Sequence, residues 1–258
     1  MKCLCTLIMV GFIALLLFSN VNADEIDAAK EDKYTVLNRG NFEIKIDTEF
    51  KDWKFSKYVL VMGKETWEPL GGSWDGKDDL SAELQIAYDE TNLYFALVVT
   101  DDEYVAEGGD PWSNDGIQIA IDTSAGKIKA GWPNATTHLY NFSIRDGWQK
   151  ETGPFLGDAE IEMKRDEKVK QTLFEWRMPN EIVAKKGTKF NAGMEIAFAM
   201  IANDSDKNAK GQTGWVGWGN HTIVFGKKPE EMKTLVLSAE SFAVNARGKL
   251  TTTWGALK

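Results

Sequence analysis

Apolar and polar residues alternate along most of this chain, and that two-residue period restricts its fold more than any other feature. From Leu80 to Tyr88 every second residue is apolar, and the same pattern returns in residues 117–121, 138–144, 172–178 and 194–200. A period of two places successive side chains on opposite faces of an extended strand. Many short strands separated by Gly, Asp and Asn turns predict an all-β fold, namely a two-sheet antiparallel β-sandwich.

One hairpin and one helix can be placed more closely. Asp89–Asn92 predicts a turn, and residues 93–99 after it are apolar at every position. A strand without a polar face is typical of the inside of a packed sheet. Residues 180–186, with Asn180 as cap and Gly187 as stop, predict at most one short helix.

The N-terminus has the features of a secretory signal. Lys2 precedes an apolar run from Leu7 to Phe18, and small residues follow at Val21 and Ala23. We therefore predict a signal peptide over residues 1–23, cleaved after Ala23, because the run is shorter than the ~20 residues that a membrane span needs. The two cysteines, Cys3 and Cys5, leave with it. The mature protein is expected to be secreted or periplasmic, with no membrane attachment.

The remaining sequence is interpreted as three parts. Residues 24–40 mix charged residues with alanine and are taken as a leader or linker. Residues 41–247 carry the alternating pattern and form the predicted sandwich domain, and residues 248–258 are taken as a C-terminal appendage.

Charge and residue types exclude several classes of function. Acidic residues outnumber basic ones by thirty-nine to thirty, and no Lys/Arg cluster is present, so no nucleic-acid partner is expected. The chain has only two histidines. His138 alternates in register with Tyr140 and is interpreted as a core residue, whereas His221 stands in a predicted loop, where solvent exposure and a ligand contact are both open. No HExxH, GxSxG or Walker motif occurs. We expect no catalytic activity, since acidic pairs such as Asp78 and Asp79 are common in solvated turns.

Acidic turns favour calcium as a structural cofactor. Calcium prefers hard oxygen ligands, and a secreted domain without disulfides gains stability from binding it. No EF-hand spacing selects among the candidate ligands, which are Asp47, Asp52, Asp101, Asp102, Asp110 and Asp115. No other cofactor is expected.

The order of several motifs resembles family 9 carbohydrate-binding modules and the wider group of DOMON-like sandwiches. The resemblance spans about residues 42–237. It includes Ile46-Asp47 with Trp53, the hairpin 82–101, the segment Asp110-Pro-Trp-Ser-Asn-Asp-Gly-Ile-Gln-Ile-Ala-Ile-Asp122, and the late pieces 196–204, Gly217-Trp218, Pro229 and 235–237. It implies a module that recognises a sugar or a glycan end, with the possibility of assisting a glycoside hydrolase encoded elsewhere.

The resemblance also implies a binding site of two stacking tryptophans and several polar groups. The first tryptophan matches Trp112, a family acidic position holds Gln118, and a family arginine falls near Asn141. The second tryptophan falls at Gly226, so Phe225 beside it is the candidate stacking residue, with Trp215 and Trp74 as alternatives.

Three departures keep other functions open. A family glutamine falls near Ile201, a second arginine falls near Thr213, and Gly226 cannot stack. A structural or interaction sandwich with a decayed ligand site is therefore an alternative. A haem-binding DOMON-like domain is the other, although Met178, Met194 and Met200 alternate in register with core positions.

Overall fold

The computed structural model describes residues 23–106, 110–124, 137–145, 147–152, 159–207, 209, 211–224 and 228–242. Fourteen strands form within these residues. They are β1 (Asp24–Asp27), β2 (Lys33–Asn38), β3 (Tyr58–Met62), β4 (Trp67–Pro69), β5 (Leu80–Tyr88), β6 (Asn92–Asp101), β7 (Gly116–Asp122), β8 (Thr137–Ser143), β9 (Gly147–Thr152), β10 (Glu160–Asp166), β11 (Gln171–Pro179), β12 (Glu195–Asp204), β13 (Gly214–Trp218) and β14 (Lys233–Ser241). One α-helical turn, α1, spans Asn180–Val183, and 3-10 turns span Trp53–Phe55, Lys64–Thr66, Pro111–Ser113, Asn220–Thr222 and Pro229–Glu231.

The strands form two layers that are joined through β2. The first layer has the order β10-β11-β6-β5-β3-β1. The second has the order β9-β8-β7-β12, and β12 then pairs with β14 along its first half and with β13 along its second, while β4 pairs with β13. β2 pairs in parallel with β5 and with β14. The predicted all-β sandwich is confirmed, and among the described strands only the β1–β3 pair is also parallel.

The core lies between the layers and is built from alternate side chains of both. Phe95 of β6 stacks on Trp176 of β11, with ring centroids 4.7 Å apart, and reaches Phe198 of β12 at 5.7 Å. Phe142 of β8 meets Trp176 edge-on at 5.4 Å. Aromatic pairs of this kind contribute about 0.5–1.5 kcal/mol beyond their buried area. The contacts of Phe95 with Phe198 and of Phe142 with Trp176 cross from one layer to the other and hold the two layers face to face.

Strand β6 is buried on both faces, as its sequence predicts. The core between the layers contains the side chains of Leu93, Phe95, Leu97 and Val99. A second apolar cluster on the other face contains those of Tyr94, Ala96 and Val98. Phe50 and Trp53 from the segment between β2 and β3 complete that cluster. The segment therefore covers the outer face of the first layer.

A buried carboxylate fixes this covering segment. Glu175 of β11 is fully buried and accepts a hydrogen bond from Trp53 Nε1 at 2.8 Å. Its other oxygen accepts the backbone N–H groups of Asp47 and Thr48 at 2.8 and 2.6 Å. Burial raises the pKa of Glu175, and these three bonds oppose that rise.

The interpretation of residues 24–40 as a leader is wrong. They form β1 and β2, and Tyr34 and Val36 of β2 are fully buried in the core. The Tyr34 hydroxyl also donates to Tyr58 O at 2.9 Å. The alternation in β2 is too short to be recognised between charged flanks. The predicted signal peptide, apart from Ala23, and the predicted appendage at 248–258 lie outside the described residues.

Helix α1 is a single turn and ends three residues earlier than predicted. Asn180 is its first residue rather than its cap, and its side chain instead donates to the backbone oxygens of Glu90 and Thr188. None of the helices in the described ranges has the length and apolar character required to cross a membrane.

Candidate functional site

The outer face of the second layer carries the candidate site. Residues of β7, β8 and β12 that alternate with the inward-facing ones line it, and Gln118 of β7 lies opposite Asn141 of β8 on one side and Ile201 of β12 on the other. At one end, which we call the polar end, it presents Gln118, Asn141 and Asn203. At the other, which we call the apolar end, it presents Ala120, Leu139, Ala197 and Ala199, and Ile201 packs with them although it lies opposite Gln118.

Trp112 stands at the polar end. It lies in the 3-10 turn Pro111–Ser113, directly before β7. A proline at the first position of such a turn has its φ angle already set and lacks an N–H that would remain unsatisfied. The Trp112 side chain is 44% exposed, whereas Trp53, Trp67, Trp74, Trp176, Trp215 and Trp218 are buried or half-buried. An exposed indole beside a polar strand face is a suitable platform for the apolar face of a ligand.

A network of side-chain amides connects the Trp112 turn to the strands. Asn203 donates from Nδ2 to Trp112 O and to Asn114 O, both at 3.3 Å. Its Oδ1 accepts from Gln118 Nε2 at 3.1 Å and from Gln212 Nε2 at 2.8 Å. The sequence interpretation gave no role in the site to Asn203 or Gln212. The alternation of β12 places Asn203 on the same face as Ile201, but nothing in the sequence shows its partners.

The structure brings three of the predicted site residues to one end of the face. Trp112 and Gln118 are connected through Asn203, and Asn141 lies opposite Gln118 across the β7–β8 pair. Both Gln118 and Asn141 are only 4% exposed. Asn141 Oδ1 has no hydrogen-bond partner among the described residues. The fourth predicted residue, Phe225, lies outside the described residues.

The apolar end is filled by the protein itself. Ile201 is fully buried and packs in a cluster with Trp215, Ile223 and Met232. The alternative stacking residues are therefore not exposed platforms, since Trp215 is buried in this cluster and Trp74 donates from Nε1 to Leu80 O at 2.8 Å.

Two sets of carboxylates lie beside the polar end. Oxygens of Asp79, Asp204 and Asp206 lie within 4.8 Å of one another. Asp101 and Asp115 are almost completely buried, and the Oδ1 atom of Asp115 has no hydrogen-bond partner among the described residues. These residues come from loops and strand ends that are far apart in the sequence.

We call these five residues, Asp79, Asp101, Asp115, Asp204 and Asp206, the acidic group, and burial raises their pKa values. Loss of water raises the pKa of Asp115, and the charges of Asp101 and Asp204 raise it further. Loss of water also raises the pKa of Asp204, to about 6, although Thr213 Oγ1 donates to Asp204 Oδ2 at 2.6 Å. Such an arrangement is costly when the carboxylates are charged, unless a cation accompanies them.

The predicted calcium ligands are divided by the fold. Asp101 and Asp115 belong to the acidic group, and the charge of Asp102 raises the pKa values of Asp101 and Asp204. Asp47 and Asp52 instead lie in the segment over the first layer, where they accept the backbone N–H groups of Glu49 and Lys45. The carbonyl oxygen of Asp110 accepts hydrogen bonds within the Trp112 turn. Sequence reasoning missed Asp79, Asp204 and Asp206, which no common motif connects.

A cavity of about 390 Å³ lies at the far end of β13, and His221 is in its wall. His221 Nδ1 lies 3.1 Å from Glu231 Oε2, and His221 Nε2 lies 3.1 Å from Glu68 Oε2. The histidine therefore joins β4 to the 3-10 turn Pro229–Glu231.

The second histidine, His138, is buried beside Tyr140 in the core, with ring centroids 6.4 Å apart. Met178 and Met200 are fully buried core residues, as predicted.

The fold and the exposed Trp112 define a β-sandwich of the kind found in ligand-binding modules. Residues 46–239 match the family model described as carbohydrate family 9 binding domain-like, and the chain belongs to that family. A search of curated proteins found no significant match.

Solved structures show the same fold. A family 9 module from Caldicellulosiruptor kristjanssonii in complex with glucose is 15% identical, with a TM-score of 0.62, over 83% of this chain and 99% of that one. The complex of a family 9 module from the same organism with cellotriose is 14% identical, with a TM-score of 0.62, over 81% and 95% of the two chains.

Proposed function

We propose that this protein is a non-catalytic carbohydrate-binding module that stacks a sugar ring on Trp112. The observation that carries the proposal is the exposed indole at the polar end of the second layer's outer face. The related modules bound to glucose and to cellotriose support a neutral sugar or a glycan end as the ligand. Asn141 is the polar side chain proposed to assist, because its Oδ1 atom has no hydrogen-bond partner among the described residues.

The expected affinity is low. Covering ~100 Å² of a sugar's apolar face contributes roughly 2.5 kcal/mol. A micromolar complex needs about 8 kcal/mol, and a millimolar one about 4. Trp112 and a small number of hydrogen bonds therefore support millimolar binding. Gln118, Asn203 and Gln212 already bond with one another, which reduces the number of groups that a sugar can use.

Titration of the mature protein with glucose and cellotriose tests the proposal. Trp112→Ala is expected to remove the binding, whereas Leu70→Ala, which removes another exposed apolar side chain, is expected to leave it unchanged. Saturable binding that survives in Trp112→Ala would show that the site has been misplaced. Phe225 is retained as a proposed second contact, and Phe225→Ala tests it in the same titration.

We further propose that the protein is secreted or periplasmic after cleavage behind Ala23, and that it can act beside a glycoside hydrolase encoded elsewhere. The apolar run from Leu7 to Phe18 supports the first statement. Mass spectrometry of the protein recovered from its producing cells tests the cleavage site. The second is tested by adding the module to a hydrolase that acts on a polysaccharide carrying the recognised sugar.

Calcium is proposed as a structural cofactor of the acidic group. The close oxygens of Asp79, Asp204 and Asp206 would supply ligands of the type that calcium prefers. The independent observation that favours a cation here is the buried Oδ1 of Asp115, which has no donor among the described residues, because such a carboxylate oxygen is costly.

A structural sandwich without a ligand is the second candidate function, and the filled apolar end favours it. Ile201 and Thr213 stand where the family resemblance implies polar ligand contacts, and the structure buries both. Absence of saturable binding to any sugar in the titration would support this candidate over the first.

A further inference from the structure

Three successive carbonyl groups of the Trp112 turn are held by the end of β12. Asn203 Nδ2 donates to the oxygens of Trp112 and Asn114, both at 3.3 Å. Between them, Ser113 O accepts from Ser205 Oγ at 3.2 Å. Within the turn, Ser113 N and Ser113 Oγ both donate to Asp110 O, at 2.9 and 2.7 Å. The place of the turn on the sheet is therefore set largely by the side chains of two residues, Asn203 and Ser205.

The Asn203 amide has no hydrogen-bonding capacity left. An asparagine side chain offers two N–H donors and an oxygen that can accept two bonds. Both donors reach backbone oxygens, and Oδ1 accepts from Gln118 Nε2 at 3.1 Å and Gln212 Nε2 at 2.8 Å. The opposite orientation of the amide would set donor against donor and oxygen against oxygen. With only 1% of its surface exposed, Asn203 is locked in a single orientation.

We propose that Asn203 is a positioning residue that fixes the Trp112 indole before any ligand arrives. Gln118 and Gln212 act through it, because their amides hold Asn203 Oδ1 and so direct its Nδ2 group to the turn. Gln118 therefore serves the site as a support for Trp112. The role in ligand binding rests on the proposed function, whereas the effect on the Trp112 turn does not. A turn that is already fixed avoids the entropy loss of ordering this segment when a ligand binds.

Asn203→Asp is the sharpest test. The carboxylate keeps the acceptors for Gln118 and Gln212, removes both donors to the turn, and sets an oxygen against two carbonyl oxygens. Asn180→Asp is the matched control, because buried Asn180 also donates from Nδ2 to two backbone oxygens, those of Glu90 and Thr188. Both variants are expected to lower the melting temperature, but only Asn203→Asp is expected to move the indole.

The indole is observed by fluorine NMR of protein labelled with 5-fluorotryptophan. The Trp112 resonance is assigned by its loss in Trp112→Phe. We expect it to shift and broaden in Asn203→Asp while remaining unchanged in Asn180→Asp, and we expect cellotriose to bind roughly tenfold more weakly to Asn203→Asp than to the wild type. If Asn203→Asp does not fold, Ser205→Ala replaces it, with a smaller shift expected.

The outcomes separate the two proposals. A Trp112 resonance that is the same in the wild type and in Asn203→Asp overturns the positioning role, as does an equal change in Asn180→Asp. A wild-type protein that binds no sugar overturns the proposed function, while the resonance still decides whether Asn203 positions Trp112.

Discussion

Glu175 should be a sensitive polar position in the fold, and Glu175→Gln tests this. One oxygen accepts the Trp53 indole N–H and the other accepts two backbone N–H groups. Glutamine supplies a single oxygen, so its NH₂ group must face at least one buried donor. An unsatisfied buried donor costs about 1–3 kcal/mol, and removing the buried charge recovers part of that cost. We expect a loss of about 2 kcal/mol, or roughly 4–8 °C in melting temperature.

A double-mutant cycle with Trp53→Phe identifies the cause. Phenylalanine has no N–H group, so the glutamine NH₂ no longer opposes a donor at that oxygen. The cost of Glu175→Gln should then fall by about 1 kcal/mol in the Trp53→Phe background, as measured by urea unfolding. Glu162→Gln is the control, because exposed Glu162 lies opposite Glu175 in the β10–β11 pair. Additive effects of the two substitutions, within about 0.5 kcal/mol, would refute the hydrogen-bond explanation.

Two further predictions concern acidic residues. Burial raises the pKa of Asp89, but hydrogen bonds from Arg39, Thr91 and Tyr94 outweigh it and lower the value to about 2. Its stabilisation is therefore present at neutral pH and lost as pH falls from about 4 to 2, so Asp89→Asn should lower the melting temperature at pH 7 and have little effect at pH 2. An equal effect at both pH values would contradict this. Removing calcium with EDTA should lower the melting temperature of the wild type, and Asp204→Asn should abolish the response; an unchanged wild type would contradict the calcium proposal.

The layers of the fold could be predicted because their signal is local. Residues 93–99 are apolar on both faces, and the structure buries that strand, β6, between the core and a second cluster. β2 was missed for the opposite reason, since the consecutive apolar residues Val36 and Leu37 interrupt its short alternation. Its burial depends on pairing with β5 and β14, which are distant in the sequence.

The candidate site could be predicted only in part, because its interactions join distant segments. The motif around Trp112 predicted an exposed stacking residue, and the alternation of β7 predicted which face of the sheet Gln118 lies on. Gln118 donates to Asn203, which lies 85 residues away in the sequence, so this hydrogen bond could not be predicted. The same holds for the acidic group, in which Asp79 approaches Asp204 and Asp206 only after the layers have formed.

The two ends of the outer face of the second layer have opposite consequences for function. At the apolar end, Ile201 contributes burial, and a fully buried isoleucine side chain is worth roughly 1.5–3 kcal/mol. A polar side chain at that place would lose this contribution and would need a partner or a ligand. At the polar end the amides of Gln118 and Asn203 satisfy each other, so they cost little when no ligand is bound. The face is therefore stable without a sugar, and among its described residues we expect recognition to be confined to Trp112 and its immediate neighbours. An oligosaccharide such as cellotriose should therefore bind no more tightly than a single sugar ring such as glucose.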